Sequence, residues 1–234
     1  MLVASGLKKR YGGTSALADV SLKLQRGELA VLVGRSGAGK TTLLRCLGGL
    51  ESPDTGTIEF DGAPLAQTDA AFVFQEGALV DEKSAVSNVL DGVLGRIPGW
   101  RAAVGWYPAA EKRAAVEQLH EVGLDGYGTR RVGTLSGGER QRVGIARALQ
   151  QEPVVLLADE PVASLDPATG RDVLERIADV VKTRNLVGLV SLHQPRLVES
   201  FADRYLGLSA GQLVFDMPAD DLSVSELMEV YDDR

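Results

Sequence analysis

The sequence predicts an α/β core interrupted by a helical insertion. Two apolar runs without alternation, VVLLA from Val154 and LVGLVSL from Leu186, look like parallel strands covered by helices on both faces. Between residues 80 and 150 strand signals stop and helical spacing takes over. A glycine-rich loop also joins an apolar run to an apolar-faced helix. Together these patterns give a layered α/β architecture with an insertion. The expected organisation is one domain, 1–234, with a core and an antiparallel β subdomain in 1–79 and 151–234 and a helical subdomain in 80–150.

Each element has its own signal. Val20, Leu22 and Leu24 alternate with Ser21, Lys23 and Gln25, the pattern of a half-buried strand. Arg26-Gly27 then turns the chain into a continuous apolar strand, Leu29 to Val33. From Thr41 the period changes: Leu43, Leu44 and Leu47 share a helical face, and Gly48-Gly49 ends it. TIEFDG, Thr57 to Gly62, reads as a short strand with a turn. Val116, Leu119 and Val122 are spaced as one apolar stripe. Val173, Leu174, Ile177, Val180 and Val181 mark an amphipathic crossover helix, and LGLSAGQLVFD reads as a hairpin turning at Ala210-Gly211.

Composition narrows the function classes. With 25 basic and 32 acidic residues the net charge is −7, which disfavours a general nucleic-acid binder. Cys46 is the only cysteine, so no internal disulfide forms, and a reduced cytoplasmic setting fits. The N-terminus does not read as a signal peptide. The apolar runs are far shorter than the ~20 residues of a spanning helix, so work at a membrane would require a spanning partner.

The glycine loop reads GRSGAGKTT: Gly34, Arg35, Ser36, Gly37, Ala38, Gly39, Lys40, Thr41 and Thr42. It satisfies G-x-x-x-x-G-K-[ST] in the strand–loop–helix context that the motif requires. Its backbone amides can curl around an anion at a helix N-terminus. Lys40 is expected to reach the β- and γ-phosphates of ATP, and the Thr41 hydroxyl to ligate Mg²⁺. VVLLADEP places Asp159 and Glu160 just past a buried strand, where open α/β sheets bind ligands. Successive residues of extended chain point opposite ways, which permits two roles. Asp159 would hold Mg²⁺ through its water shell, and Glu160 would accept a proton from the attacking water or orient it. Further on, LSGGERQRVGIARAL opens a helix with Ser136-Gly137-Gly138, a second anion site at a helix start. One phosphate loop plus a spare anion site suggests two chains sharing nucleotides.

In this order GRSGAGKTT, Gln75, LSGGERQ, VVLLADEP, SLDP and His193 resemble the motifs of an ABC-transporter ATPase, and they span most of the chain. The resemblance implies a P-loop NTPase with a RecA-like core, an antiparallel β subdomain and an inserted helical subdomain. It also implies a head-to-tail dimer sandwiching two ATP molecules. Tyr11 is similar to the aromatic that stacks on adenine. Gln75 resembles the glutamine that contacts Mg²⁺ or water and senses the transmembrane partner. Asp166 resembles the aspartate that communicates across the dimer, or it caps the following helix. His193 resembles the switch histidine at the γ-phosphate.

A narrower similarity is to the ATPases of phosphonate importers, carried by LADEPVASLDPATGR, SLHQPRLVESFADRYLGLSAGQLVFD and GRIPGWRAAVGWYP. It implies permease subunits as partners, a solute-binding protein as an indirect one, no nucleic acid, and a peripheral position on the cytoplasmic face. The cargo expected is phosphonate or another small phosphorus oxyanion; the alternatives are a different small solute or a soluble non-transport ABC ATPase. Trp100, Trp106 and Tyr107 are expected to line the permease-docking groove. The chain departs from the family pattern at Arg35, at Glu76-Gly77-Ala78 and at Pro195-Arg196, and no catalytic group is lost at any of them.

Overall fold

The computed structural model describes residues 1–74, 78–98, 105–193 and 201–221. Gln75, Trp100 and the departures at Glu76, Gly77, Pro195 and Arg196 lie outside these residues.

Strands β1 (Leu2–Tyr11), β2 (Thr14–Leu24), β4 (Thr55–Phe60) and β5 (Ala63–Pro64) form an antiparallel sheet in the order β2-β1-β4-β5. β3 (Leu29–Val33), β6 (Ala70–Val73), β7 (Val155–Asp159), β8 (Val187–Leu192), β9 (Arg204–Ser209) and β10 (Gln212–Pro218) form the second sheet, in the order β10-β9-β3-β8-β7-β6. Its strands run parallel except for β10, which pairs antiparallel with β9 along one edge. The β9–β10 turn is at Ala210-Gly211, both at positive φ (47° and 77°), as a two-residue hairpin turn matched to strand twist requires. The α/β fold class expected from the sequence, with its antiparallel sheet and helical part, is therefore the one observed.

Residue parity divides the core between the two faces of the second sheet. Leu29, Val31 and Val33 of β3 enter one apolar cluster, while Ala30 and Leu32 enter the other. Leu156 and Ala158 of β7, with Val190 and Leu192 of β8, join the first cluster. Val155, Leu157, Val187 and Leu189 join the second. Side chains alternate across a strand, and both faces are covered, so these segments carry no polar alternation. The second cluster also holds Leu43, Leu44 and Leu47 of helix α1 (Lys40–Leu47), the apolar face read from the sequence. Gly49 ends that helix at φ 66°, and the amide of Leu50 donates back to the Arg45 carbonyl.

Helices α2 (Ala85–Leu90), α3 (Ala109–Glu121), α4 (Gly137–Leu149) and α5 (Pro167–Thr183) feed the first cluster. All five crossover residues expected on α5, Val173, Leu174, Ile177, Val180 and Val181, are buried. The stripe expected on α3 is only partly observed. Leu119 and Val122 are buried but Val116 is 55% exposed, facing outward beside a surface hollow. The inward face of α3 is carried instead by Ala115, Gln118 and Leu119. Gln118 is tied by the guanidinium of Arg184 at the end of α5, which also pairs with Glu121.

Helix α4 starts in a capping box. Ser136 Oγ accepts the Glu139 amide, and the Glu139 carboxylate accepts the Ser136 amide at 2.7 Å. That amide hydrogen bond holds the Glu139 carboxyl below its ordinary value. A depressed folded-state value means that the contribution is present above the ordinary carboxyl range and lost as pH falls through the folded value. Glu139→Gln keeps the reciprocal cap but removes the charge from the positive helix end. The variant should be less stable at neutral pH by about 0.3–1 kcal/mol, and that gap should close on acidification. Urea melts of both proteins across a pH series measure it.

Candidate functional site

The glycine loop leaves the end of β3 and is clamped from two sides. Gly39, at φ 106°, faces the Ala16 carbonyl of β2, which a Cβ at this position would meet at 2.3 Å. On the other side the Gly211 amide of the β9–β10 turn donates to the Ala38 carbonyl at 2.9 Å, and the Ala18 amide donates to the Gly211 carbonyl at 2.8 Å. The loop is thus built into the junction of the two sheets. Arg35, Ser36 and Gly37 form its exposed crest, and Thr41 and Thr42 are half-buried in the first turn of α1.

Lys40 is 5% exposed, and its ammonium donates to the carbonyls of Gly34 (2.6 Å) and Arg35 (3.2 Å). Burial lowers its pKa, and the nearby charges of Glu160 and Asp159 oppose that shift. The loop lysine and the acidic pair are therefore electrostatic neighbours, although the sequence separates them by more than a hundred residues. Parity explains the approach. Asp159 continues the Val155–Leu157 series and so projects on the α1 side of the sheet, next to the phosphate loop. Glu160 follows immediately, at φ 46°.

Ser191 holds these two residues together, and sequence reasoning passed it over. It lies opposite Asp159 in the β7–β8 register and is fully buried. Its hydroxyl donates to Asp159 Oδ1 at 2.7 Å and accepts the Glu160 amide at 2.9 Å. The available signal was a lone hydroxyl in the otherwise apolar strand LVGLVSL.

The remaining expected residues fall into two groups. Tyr11 ends β1, is 46% exposed, and directs its hydroxyl toward Glu51 and Thr42; the hydrogen bond to Glu51 is the main cause that raises its pKa. This places the ring beside the first turn of α1. His193 directly follows β8 and is exposed. Ser136 and Gly137 are exposed at the start of α4, while a Cβ on Gly138 would meet Thr169 at 2.4 Å. Only a glycine lets that turn rest on the start of α5. Asp166 is the N-cap of α5, accepting the amides of Ala168 (3.2 Å) and Thr169 (3.1 Å). The Arg142–Asp172 ion pair at 2.5 Å joins the same two helices. The Ser136 turn and Asp166 thus form one surface unit, and no hydrogen bond or ion pair ties that unit to Lys40 among the described residues.

Beyond β6 an open hollow of about 440 Å³ is lined by Leu50, Phe72, Phe74, Leu94, Asp91 and Arg147, among others. Leu50, Leu94 and Phe74 expose 49%, 46% and 37% of their surface. Arg147 of α4 reaches the Ala78 carbonyl at 2.7 Å across its edge. Tyr107 lines a neighbouring hollow with Lys83, Val86 and Lys112, and Asp91 is common to both. Trp106 is 55% exposed and lines neither. No helix among the described residues is long and apolar enough to cross a membrane.

Comparison with known proteins agrees with this architecture. The chain is 72% identical, over 100% of both sequences, to a phosphonates import ATP-binding protein of Natronomonas pharaonis. It is 43% identical to that of Halobacterium salinarum, over 98% of this chain and 83% of the relative. The fold superposes on the ADP conformation of an ATP-binding cassette with a TM-score of 0.87 at 22% identity, covering 99% and 98% of the two chains. A dimeric bacterial ABC transporter cassette follows at 0.78 and 28% identity, covering 94% and 99%. The family model described as ABC transporter matches residues 17–163, from the strand that clamps the phosphate loop to the turn after the acidic pair, and the chain belongs to that family.

Proposed function

We propose that this chain is the ATP-binding and ATP-hydrolysing subunit of an ABC importer for phosphonate or a closely related phosphorus oxyanion. One observation supports this most: a buried lysine inside a phosphate-binding loop feels two carboxylates delivered by the end of β7, two strands along the same sheet. The cargo reading draws on the relatives named for phosphonate import.

In this reading the triphosphate lies along the loop amides, with Lys40 on its β- and γ-phosphates and Tyr11 stacked on adenine. The donor set suits a hard cation: the Thr41 hydroxyl and Asp159 would hold Mg²⁺, with Gln75, and bound metal would neutralise phosphate charge. Glu160 takes or orients the proton of the attacking water. His193, past the end of the adjacent strand, contacts the γ-phosphate. Ser136 and Gly138 come from a second copy in a head-to-tail dimer, and Asp166 lies at the seam. The capping box suits this use. Ser136 Oγ accepts the Glu139 amide and its hydroxyl also hydrogen-bonds the Glu139 carboxylate, so the turn is already ordered at an exposed helix start. Residues 80–150 act as the helical subdomain that carries this turn. The chain then sits at the cytoplasmic face of the membrane, held by permease subunits that a solute-binding protein supplies.

For the permease we assign the hollow beyond β6. It exposes Leu50, Phe74 and Leu94 beside the strand that leads into Gln75, and Arg147 connects its edge to the helix begun by Ser136. Its occupant would be a short helix of the permease with an apolar face, the usual match for such a groove.

Glu160→Gln should lower steady-state ATP hydrolysis by roughly 10²–10⁴ while leaving ATP affinity within about twofold. Turnover of the variant at the unmodified rate would refute the assigned role. Leu50→Glu combined with Leu94→Glu should abolish co-purification with the permease and spare ATP binding. Normal complex formation by that double variant, with loss of the complex in Tyr107→Ala, would move docking to the neighbouring hollow.

A further inference from the structure

The Ser191 hydroxyl is fully buried at the end of a strand whose other described residues are aliphatic or glycine. A buried hydroxyl is tolerated when its hydrogen bonds are made, and this one makes two, with different functional neighbours. It donates to Asp159 Oδ1 at 2.7 Å and accepts the Glu160 amide at 2.9 Å.

Two geometric facts give those bonds weight. First, Asp159 and Ser191 are register partners on adjacent parallel strands and project to the same side of the sheet, toward α1. The donor therefore comes from a fixed backbone position, and one carboxylate oxygen is committed while the other stays available. Second, Glu160 adopts φ 46°, a left-handed conformation that a residue with a side chain rarely takes unless its surroundings enforce it. The amide of that same residue is the one Ser191 accepts. The bond pins the chain reversal where it leaves the sheet, and so sets the direction in which the Glu160 side chain departs.

We propose that Ser191 is a positioning residue for both carboxylates, orienting Asp159 by donating to one of its oxygens and holding the left-handed turn at Glu160 by accepting its amide. The inference rests on the roles given above to Asp159 and Glu160. Through Asp159 it predicts an effect on divalent-cation binding, and through Glu160 an effect on turnover, and the two are separable.

The test uses the full chain with Ser191→Ala, Ser191→Thr and Ser191→Cys, each also in the Glu160→Gln background. Mn²⁺ binding with a non-hydrolysable ATP analogue, read by electron paramagnetic resonance, should weaken by about tenfold in Ser191→Ala, the usual scale for losing a partner that orients a metal ligand. Analogue affinity without metal should stay within about twofold. Turnover should fall by roughly 10–100-fold, since small displacements of a positioned group are that damaging. At saturating divalent cation, which removes the effect through Asp159, the same substitution in the Glu160→Gln background should change the residual rate by less than about twofold, because the remaining carboxylate it positions is already gone. Ser191→Thr, which retains the hydroxyl, should restore both quantities. Ser191→Cys has nearly the original volume and only a weakly bonding thiol, and gives the same reading as alanine if alanine does not fold. Metal affinity and turnover within twofold of the unmodified protein in Ser191→Ala, or an equal fold loss with and without Glu160, would overturn the proposal. An undiminished Glu160→Gln enzyme would instead sink the catalytic assignment beneath it, so the two failures are distinguishable.

Discussion

Keeping the Lys40 ammonium out of water constrains everything built around it. A buried charge must be matched by dipoles or opposite charge, and the fold supplies both, as carbonyls from the loop itself and as carboxylates at the end of β7. The carbonyls can turn inward only if the loop backbone follows a course that side chains would block. Gly39 grants that course beside Ala16. The carboxylates can stand opposite only if β7 lies two places from β3 in the sheet, with β8 between them, and presents Asp159 on the α1 side. Local chemistry and sheet topology thus meet at one side chain.

Much of this was legible in the sequence because the signals are periodic or punctuated. The alternation in Val20–Leu24, the unbroken run Leu29–Val33 and the α5 stripe each report a distinct burial pattern, and each is found. The stripe on α3 misled because helical spacing records which residues share a face, without saying how wide the buried face is. α3 lies at the margin of the first cluster, so Val116 falls off its edge and Ala115 and Gln118 are buried instead. Motif residues were recognisable as sets, whereas their supports were not. Ser191 matters through register with a strand more than thirty residues away in sequence, and no local pattern encodes that pairing. The hollow beyond β6 is likewise assembled from separate segments, so no single stretch of sequence announces it.

At the start of α4, one set of atoms caps a helix and, in the proposed dimer, also faces the second chain. Ser136 and Asp166 both cap helices, and both lie exposed at adjoining helix starts. Capping fixes these side chains before any partner arrives, so less conformational freedom remains to be lost when a second chain closes over them. The glycines beside Ser136 let the two helix starts touch, with Gly138 against Thr169 and Gly137 against Leu165.

Hairpin turns at a protein's surface are ordinarily where chains tolerate insertions and tags best. The Ala210-Gly211 turn is an exception, because its glycine amide and carbonyl bridge the phosphate loop to β2. Lengthening this hairpin by even one residue would withdraw a strut from beneath the glycine loop. A designer seeking a permissive splice point should look elsewhere on the surface.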